Sequence, residues 1–164
     1  MLLNAFKQLQ ASVENVSLNI NGGTSGDDSE KYLQELKNFA SENNLNVSFS
    51  GWTDTEGVID YLHNSDVFVL ASENEGLPGV IIEAMAIGMP VVSTNAGGCA
   101  DAVKDGLNGY IVPIGDENLL AEKMNDLVDK NKRKRFGENS FRFAHEKYSV
   151  AAFGERFMKI INEL

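Results

Sequence analysis

Glu75 and Glu83 stand in the stretch of the chain richest in groups that can do chemistry, Val67 to Thr94, VFVLASENEGLPGVIIEAMAIGMPVVST. A carboxylate accepts two hydrogen bonds at once, so each glutamate suits a vicinal diol, a ribose in one case and a sugar ring in the other. Glu83 lies between Ile82 and Ala84 in an otherwise apolar segment, VIIEAMAIGMPVV. Its neighbours at helical spacing are almost all apolar, so its carboxylate is expected to sit among them and to need a partner. Gly76 and Gly79 let backbone come close to a ligand, and Pro78 suits the first turn of a helix. Free amides at that helix start would face a phosphate.

Other chemistries fit the residues less well. No Asp-x-Asp pair closes a strand, and His63 and His145 lie far apart on helical segments without metal-ligand spacing, so no metal site is expected. Asp27 and Asp28 are adjacent in a polar loop and read as a solvated helix entry before Ser29. Cys99 follows Gly97 and Gly98 at an expected helix start, where a thiol can be acidified, but no basic partner is evident and a packing role is favoured. As the single cysteine, it excludes an internal disulfide.

These residues must be positioned by the elements around them. Short apolar runs alternate with longer segments of helical period, the rhythm of βαβ units on a parallel sheet. Strands are predicted at Val16–Ile20, Val47–Ser50, Val67–Leu70, Val91–Ser93 and Tyr110–Val112. Helices are predicted at Met1–Gln10, Ser29–Ser41, Glu56–His63, Pro78–Ile87, Ala100–Lys104, Glu117–Asp129, Lys132–Lys147 and Val150–Asn162. The expected fold is α/β and Rossmann-like, a parallel sheet with helices on both faces in one domain over residues 1–164. Ser72 to Gly76 then leaves the carboxyl end of a buried strand, the edge at which such sheets bind ligands. The opening helix carries Leu2, Leu3, Phe6 and Leu9 on one stripe with no strand before it, so a first strand is expected to be missing.

Composition narrows the partners. A chain of 164 residues should bury about 70% of the surface its unfolded form exposes, enough for one core. Lysine and arginine total 14 against 24 aspartates and glutamates, a formal charge of −10, which argues against broad nucleic-acid binding. The basic run Lys130 to Arg135, KNKRKR, reads as a solvated helix end in preference to a lipid or RNA contact. The N-terminus has no long apolar core or cleavage signal, and no segment approaches the roughly 20 apolar residues that span a bilayer, so a cytoplasmic location is expected.

The segment SENEGLPGVIIEAMAIGMPVVSTNAGG resembles the donor-binding signature of glycosyltransferase family 4 within the GT-B fold, with its paired glutamates separated by seven residues. INGGT at Ile20 to Thr24, VSFSGW at Val47 to Trp52, YLHNSDVFVLAS at Tyr61 to Ser72 and AVKDGLNGYIVPIGDENLLAEKM at Ala102 to Met124 resemble the family's successive elements in the same order. The resemblance implies that this is the donor-binding half of a retaining, metal-free hexosyltransferase of polysaccharide or glycoconjugate biosynthesis. The donor would be a nucleoside-diphosphate sugar, with no further cofactor. Glu83 would hold the ribose hydroxyls and Glu75 the sugar, the latter as the catalytic carboxylate. The amides around Gly76, Leu77, Pro78 and Gly79 would lie near sugar and diphosphate. Gly22 and Gly23 match a loop beside the nucleotide, and the turn at Gly51, Trp52 and Thr53 resembles the loop beside the base.

The family pattern also includes an N-terminal acceptor domain and an Arg and Lys that neutralise the diphosphate, and neither is found here; Lys7 does not stand at the matching position. The expected partners are therefore a nucleotide-sugar, the acceptor domain in cis or in trans and, for the full enzyme, a membrane surface touched peripherally. A non-catalytic nucleotide-sugar-binding or scaffold module acting with a partner chain is the competing reading.

Overall fold

The computed structural model describes residues 1–23 and 25–163; Thr24, which ends the INGGT segment, and Leu164 lie outside them. All the predicted strands and helices form, with ends shifted by a few residues. The chain divides into two compact units, residues 1–65 with 115–126, and residues 66–114 with 127–164.

In the first unit, β1 (Leu18–Asn21) pairs in parallel with β2 (Val47–Gly51), Leu18 opposite Val47 and Ile20 opposite Phe49. The register shifts after Ile20, which brings Asn21 opposite Gly51. α1 (Leu2–Ser12) buries Leu3, Ala5, Phe6 and Leu9. It packs on α6 (Glu117–Asp126), where Asn4 donates to the Glu117 carboxylate at 2.8 Å and Gln8 to the Asn118 side chain at 2.9 Å. α2 (Asp27–Glu42) starts two residues before the expected Ser29. Asp27, Asp28 and Glu30 fill its first turn, where the helix dipole favours negative charge. α3 (Thr55–His63) is capped by Asp54, whose Oδ1 accepts from the Gly57 amide at 2.9 Å.

In the second unit, β3 (Phe68–Leu70), β4 (Val91–Thr94) and β5 (Gly109–Val112) form a parallel ladder with β4 in the middle. Every residue of β4 is buried, as a central strand covered on both faces requires. Its core gathers Ile81, Met85, Val91, Ala96, Cys99 and Val103 from α4 (Gly79–Ala86), β4 and the region of α5 (Cys99–Ala102), with Ala144 from α7 (Lys130–Tyr148). α4 ends in a turn at Gly88, φ +84°, whose amide donates to Met85 while that of Met89 donates to Ala84, and Pro90 follows. Buried Asn108 organises the turn before β5, accepting from the Lys104 amide at 2.7 Å and donating to the Ala102 carbonyl at 3.2 Å.

Asp129 caps α7, and Arg133 donates to the carbonyls of Leu127 and Val128 at 2.9 and 2.7 Å and pairs with Asp66 at 3.3 Å. The basic run thus opens a helix, with Arg133 tying down the segment before it. α8 (Val150–Asn162) buries none of its residues; Val150, Phe153, Phe157, Met158, Ile160 and Ile161 are exposed. No helix among the described residues is long and apolar enough to cross a membrane.

The single expected sheet is present as two ladders, β1–β2 and β3–β4–β5. Apolar runs mark where strands lie, but which edge bonds to which depends on contacts remote in sequence and is not written in the runs.

Candidate functional site

In the second unit the chain leaves β3 and crosses to α4 through residues 71–78, and the loop is anchored from below. Thr94, fully buried at the carboxyl end of β4, donates its hydroxyl to the Ser72 carbonyl at 2.5 Å. The Ser72 hydroxyl in turn donates to Glu75 Oε1 at 2.6 Å. A buried strand end thus fixes a backbone, and that backbone fixes a carboxylate. Glu75 is half-buried. With one oxygen held by Ser72, its remaining acceptor capacity is free for a hydroxyl-bearing ligand.

The turn after β4 supports the same loop from the other side. The Gly98 amide donates to the Gly76 carbonyl at 2.6 Å. Gly97 has φ +49°, and a side chain there would collide with the Glu75 carbonyl. A methyl group on Gly98 would lie 2.8 Å from the Gly76 carbonyl oxygen, so the two loops meet backbone to backbone. By contrast, open space surrounds the positions where side chains at Gly76 and Gly79 would project, and Leu77 is exposed. Pro78 is buried and caps α4 from the residue before its first turn, one place earlier than expected. The amides of Gly79 and Val80 head the helix, where no earlier carbonyl of the helix can take them.

Glu83 departs from the sequence expectation. It is exposed, while Ile81, Ala84 and Met85 are buried beside it. An eight-residue helix directs its apolar stripe inward and still leaves one narrow solvent face, and Glu83 occupies that face without needing a buried partner. Apolar neighbours in sequence concealed this because Ile82 and Ala86 are themselves only half-buried.

In the first unit, the carboxyl ends of β1 and β2 bring Gly22, Gly23, Gly51 and Trp52 together. The Gly22 amide donates to the Gly51 carbonyl at 3.0 Å. Gly22 and Gly51 have φ of +141° and +71°, which a side chain would oppose. The indole of Trp52 occupies the space that a side chain at Gly23 would need.

Thr94, Gly97 and Gly98 were not singled out for the site from the sequence, and Ser72 was read only as the start of the loop leaving the strand. The Ser-x-x-Glu spacing and the glycine pair just past a strand were the available signals. Cys99 is buried in the core, which makes it a packing residue.

Comparison with known proteins agrees with this architecture. The family model for glycosyl transferases group 1 matches residues 1–143. The capsular polysaccharide biosynthesis glycosyltransferase CapM of Staphylococcus aureus is 35% identical over 105 residues, 63% of this chain and 28% of CapM. The glycosyltransferase MJ1178 of Methanocaldococcus jannaschii is 32% identical over 136 residues, 82% of this chain and 38% of its own length. Among solved structures, Anabaena Alr3699/HepE in complex with UDP aligns over 99% of this chain and 45% of its own, with a TM-score of 0.86 and 23% identity. The fold is the Rossmann-like α/β fold of GT-B glycosyltransferases, and the chain spans only 28% and 38% of the length of the two curated relatives. Since the family model takes in 143 of 164 residues, including both glutamates and the glycine loops around them, this chain belongs to the group 1 glycosyltransferases.

Proposed function

We propose that this chain binds a nucleoside-diphosphate sugar and serves the retaining transfer of its hexose to a glycan, lipid-linked or other acceptor in polysaccharide or glycoconjugate biosynthesis. The observation that carries the reading is the fixed carboxylate of Glu75, held by Ser72 at 2.6 Å on a loop that runs into the head of α4. Glu75 takes hydroxyls of the sugar, and the amides from Gly76 to Gly79 suit the diphosphate. Exposed Glu83 takes the ribose diol. Gly22, Gly23, Gly51 and Trp52 are assigned to the nucleotide. HepE, a fold neighbour, has been solved with UDP and with UDP-glucose, which supports this class of donor.

In the transfer, the bond from the anomeric carbon to the diphosphate oxygen breaks and a bond from the acceptor hydroxyl oxygen to that carbon forms. The hydroxyl proton leaves with the diphosphate. The contribution asked of Glu75 is to hold the sugar so that its anomeric carbon is presented in one orientation. The donor serves without a further cofactor or resident metal, and an acceptor domain in cis or in trans completes the enzyme. Association of the full enzyme with a membrane, and a cytoplasmic location, belong to the same proposal.

Calorimetric titration with UDP, GDP and their hexose conjugates tests the reading. The parent chain is expected to bind one nucleotide series, Glu83→Ala to lose that binding with its fold intact, and Glu75→Ala to lose the preference for sugar nucleotide over bare nucleotide. Equal binding by parent and Glu83→Ala, or no binding by the parent, would overturn it.

A further inference from the structure

The loop between β3 and α4 carries two carboxylates, Glu73 and Glu75, and a third, Glu83, stands on the helix that the loop enters. The three are not treated alike. The Ser72 hydroxyl donates to Glu75 Oε1 at 2.6 Å. Among the described residues no donor or cation reaches Glu73, Glu83 or the second oxygen of Glu75. A glutamate has three rotatable bonds and sweeps many positions when unheld, so one short charge-assisted hydrogen bond selects among them.

Ser72 can aim a neighbour only because it is itself held. Its carbonyl takes the Thr94 hydroxyl at 2.5 Å, and Thr94, like Ser93 beside it, is fully buried at the end of β4. Ser72 and Glu75 are both half-buried, so the bond between them is partly withdrawn from competing water. A hydrogen bond on such a loop adds little to the stability of the fold, because water would serve both partners nearly as well. What it adds is direction to the carboxylate.

We infer that Ser72 is a positioning residue for the sugar of the donor, acting through Glu75 and not by touching the ligand. The inference rests on the donor-binding reading proposed above and deepens it by naming what aims the sugar-binding carboxylate. Without a hydroxyl at position 72, Glu75 keeps its charge and loses its aim. Selection of sugar nucleotide over bare nucleotide then falls, while the nucleotide part keeps its own contacts.

Affinities for UDP, GDP and their hexose conjugates are measured by calorimetry on the parent chain, Ser72→Ala, Ser72→Thr, Ser72→Cys, Glu75→Ala and the double variant Ser72→Ala/Glu75→Ala, with urea unfolding of each. The readout is the ratio of sugar-nucleotide to bare-nucleotide affinity, which a general loss of stability does not move. Ser72→Ala should lower that ratio about 5-fold to 50-fold, and Ser72→Thr, which keeps the hydroxyl, should restore most of the loss. Ser72→Cys, close to serine in size but a weak donor, should behave as Ser72→Ala does and keeps the test open if alanine there disturbs the loop. In the double variant Ser72→Ala should add nothing to the loss caused by Glu75→Ala, as expected of two residues that act as a unit.

An unchanged ratio in Ser72→Ala and Ser72→Cys, with a lowered one in Glu75→Ala, would overturn the positioning role and leave the donor-binding reading standing. A further loss on adding Ser72→Ala to Glu75→Ala would overturn it in favour of a serine that touches the ligand itself. A parent that binds nucleotide with no preference for the sugar conjugate would overturn the roles of Ser72 and Glu75 together. A parent that binds no nucleotide would overturn the donor-binding reading with them.

Discussion

β4 and β1 are each four residues long and each is paired in parallel, yet every residue of β4 is buried while β1 alternates half-buried and exposed side chains. The loops that leave them differ in the same sense. Beyond β3 and β4, the loop carrying Glu75 is fixed by Ser72, by the Gly98 amide and by Thr94, the last at a fully buried strand end. Beyond β1 and β2, the glycine loop is tied by the Gly22 to Gly51 hydrogen bond and by the indole resting on Gly23. On the proposed function, the Glu75 carboxylate gains from the first kind of support, because small misplacements of a sugar are costly to transfer.

The largest effect should come from deleting core volume under the rigid loop. Ile81→Ala, at a fully buried site, is expected to cost about 2–5 kcal/mol in urea unfolding, whereas Ile20→Ala, on half-buried β1, should cost roughly half as much. Equal losses would mean that the contrast between the strands is one of solvent exposure without energetic weight. A smaller change sharpens the comparison. Thr94→Val keeps the shape of the side chain but leaves the Ser72 carbonyl without its buried donor, so a loss of about 1–2 kcal/mol is expected, together with weaker binding of sugar nucleotide than of bare nucleotide. Unchanged selectivity would separate the anchoring of Ser72 from the placement of Glu75. The smallest effect belongs to the first unit, where Asp54→Ala removes the cap of α3 and should cost about 1 kcal/mol while sugar selectivity stays as in the parent.

The elements of the fold were legible because apolar runs and helical stripes record burial directly, and Phe6, Leu9, Ile81 and Val91 are all buried. Ladder partition was not legible, since β1 and β3 carry no mark of which neighbour they bond. Of the site, the glutamates and their glycines stood out by type and order. Exposure of Glu83 was misread because an eight-residue apolar helix can still keep one outward position. Ser72 and Thr94 escaped because a serine and a threonine near strand ends are common, and their importance lies in hydrogen bonds across 3 and 22 residues. Gly97 escaped because the group that demands it, the Glu75 carbonyl, is more than twenty positions away in the chain.

The uncovered helix α8 has a consequence for how the molecule breathes. With no buried residue and a serine cap at its head, α8 can unravel without disturbing the core behind β4. Its amides should therefore take up deuterium through a local opening that leaves the rest of the second unit protected, and its free energy of opening should lie far below that of global unfolding. Any surface that comes to rest on Phe153 and Phe157 would raise that opening energy, so the exchange rate of thirteen residues becomes a gauge of whether α8 is covered.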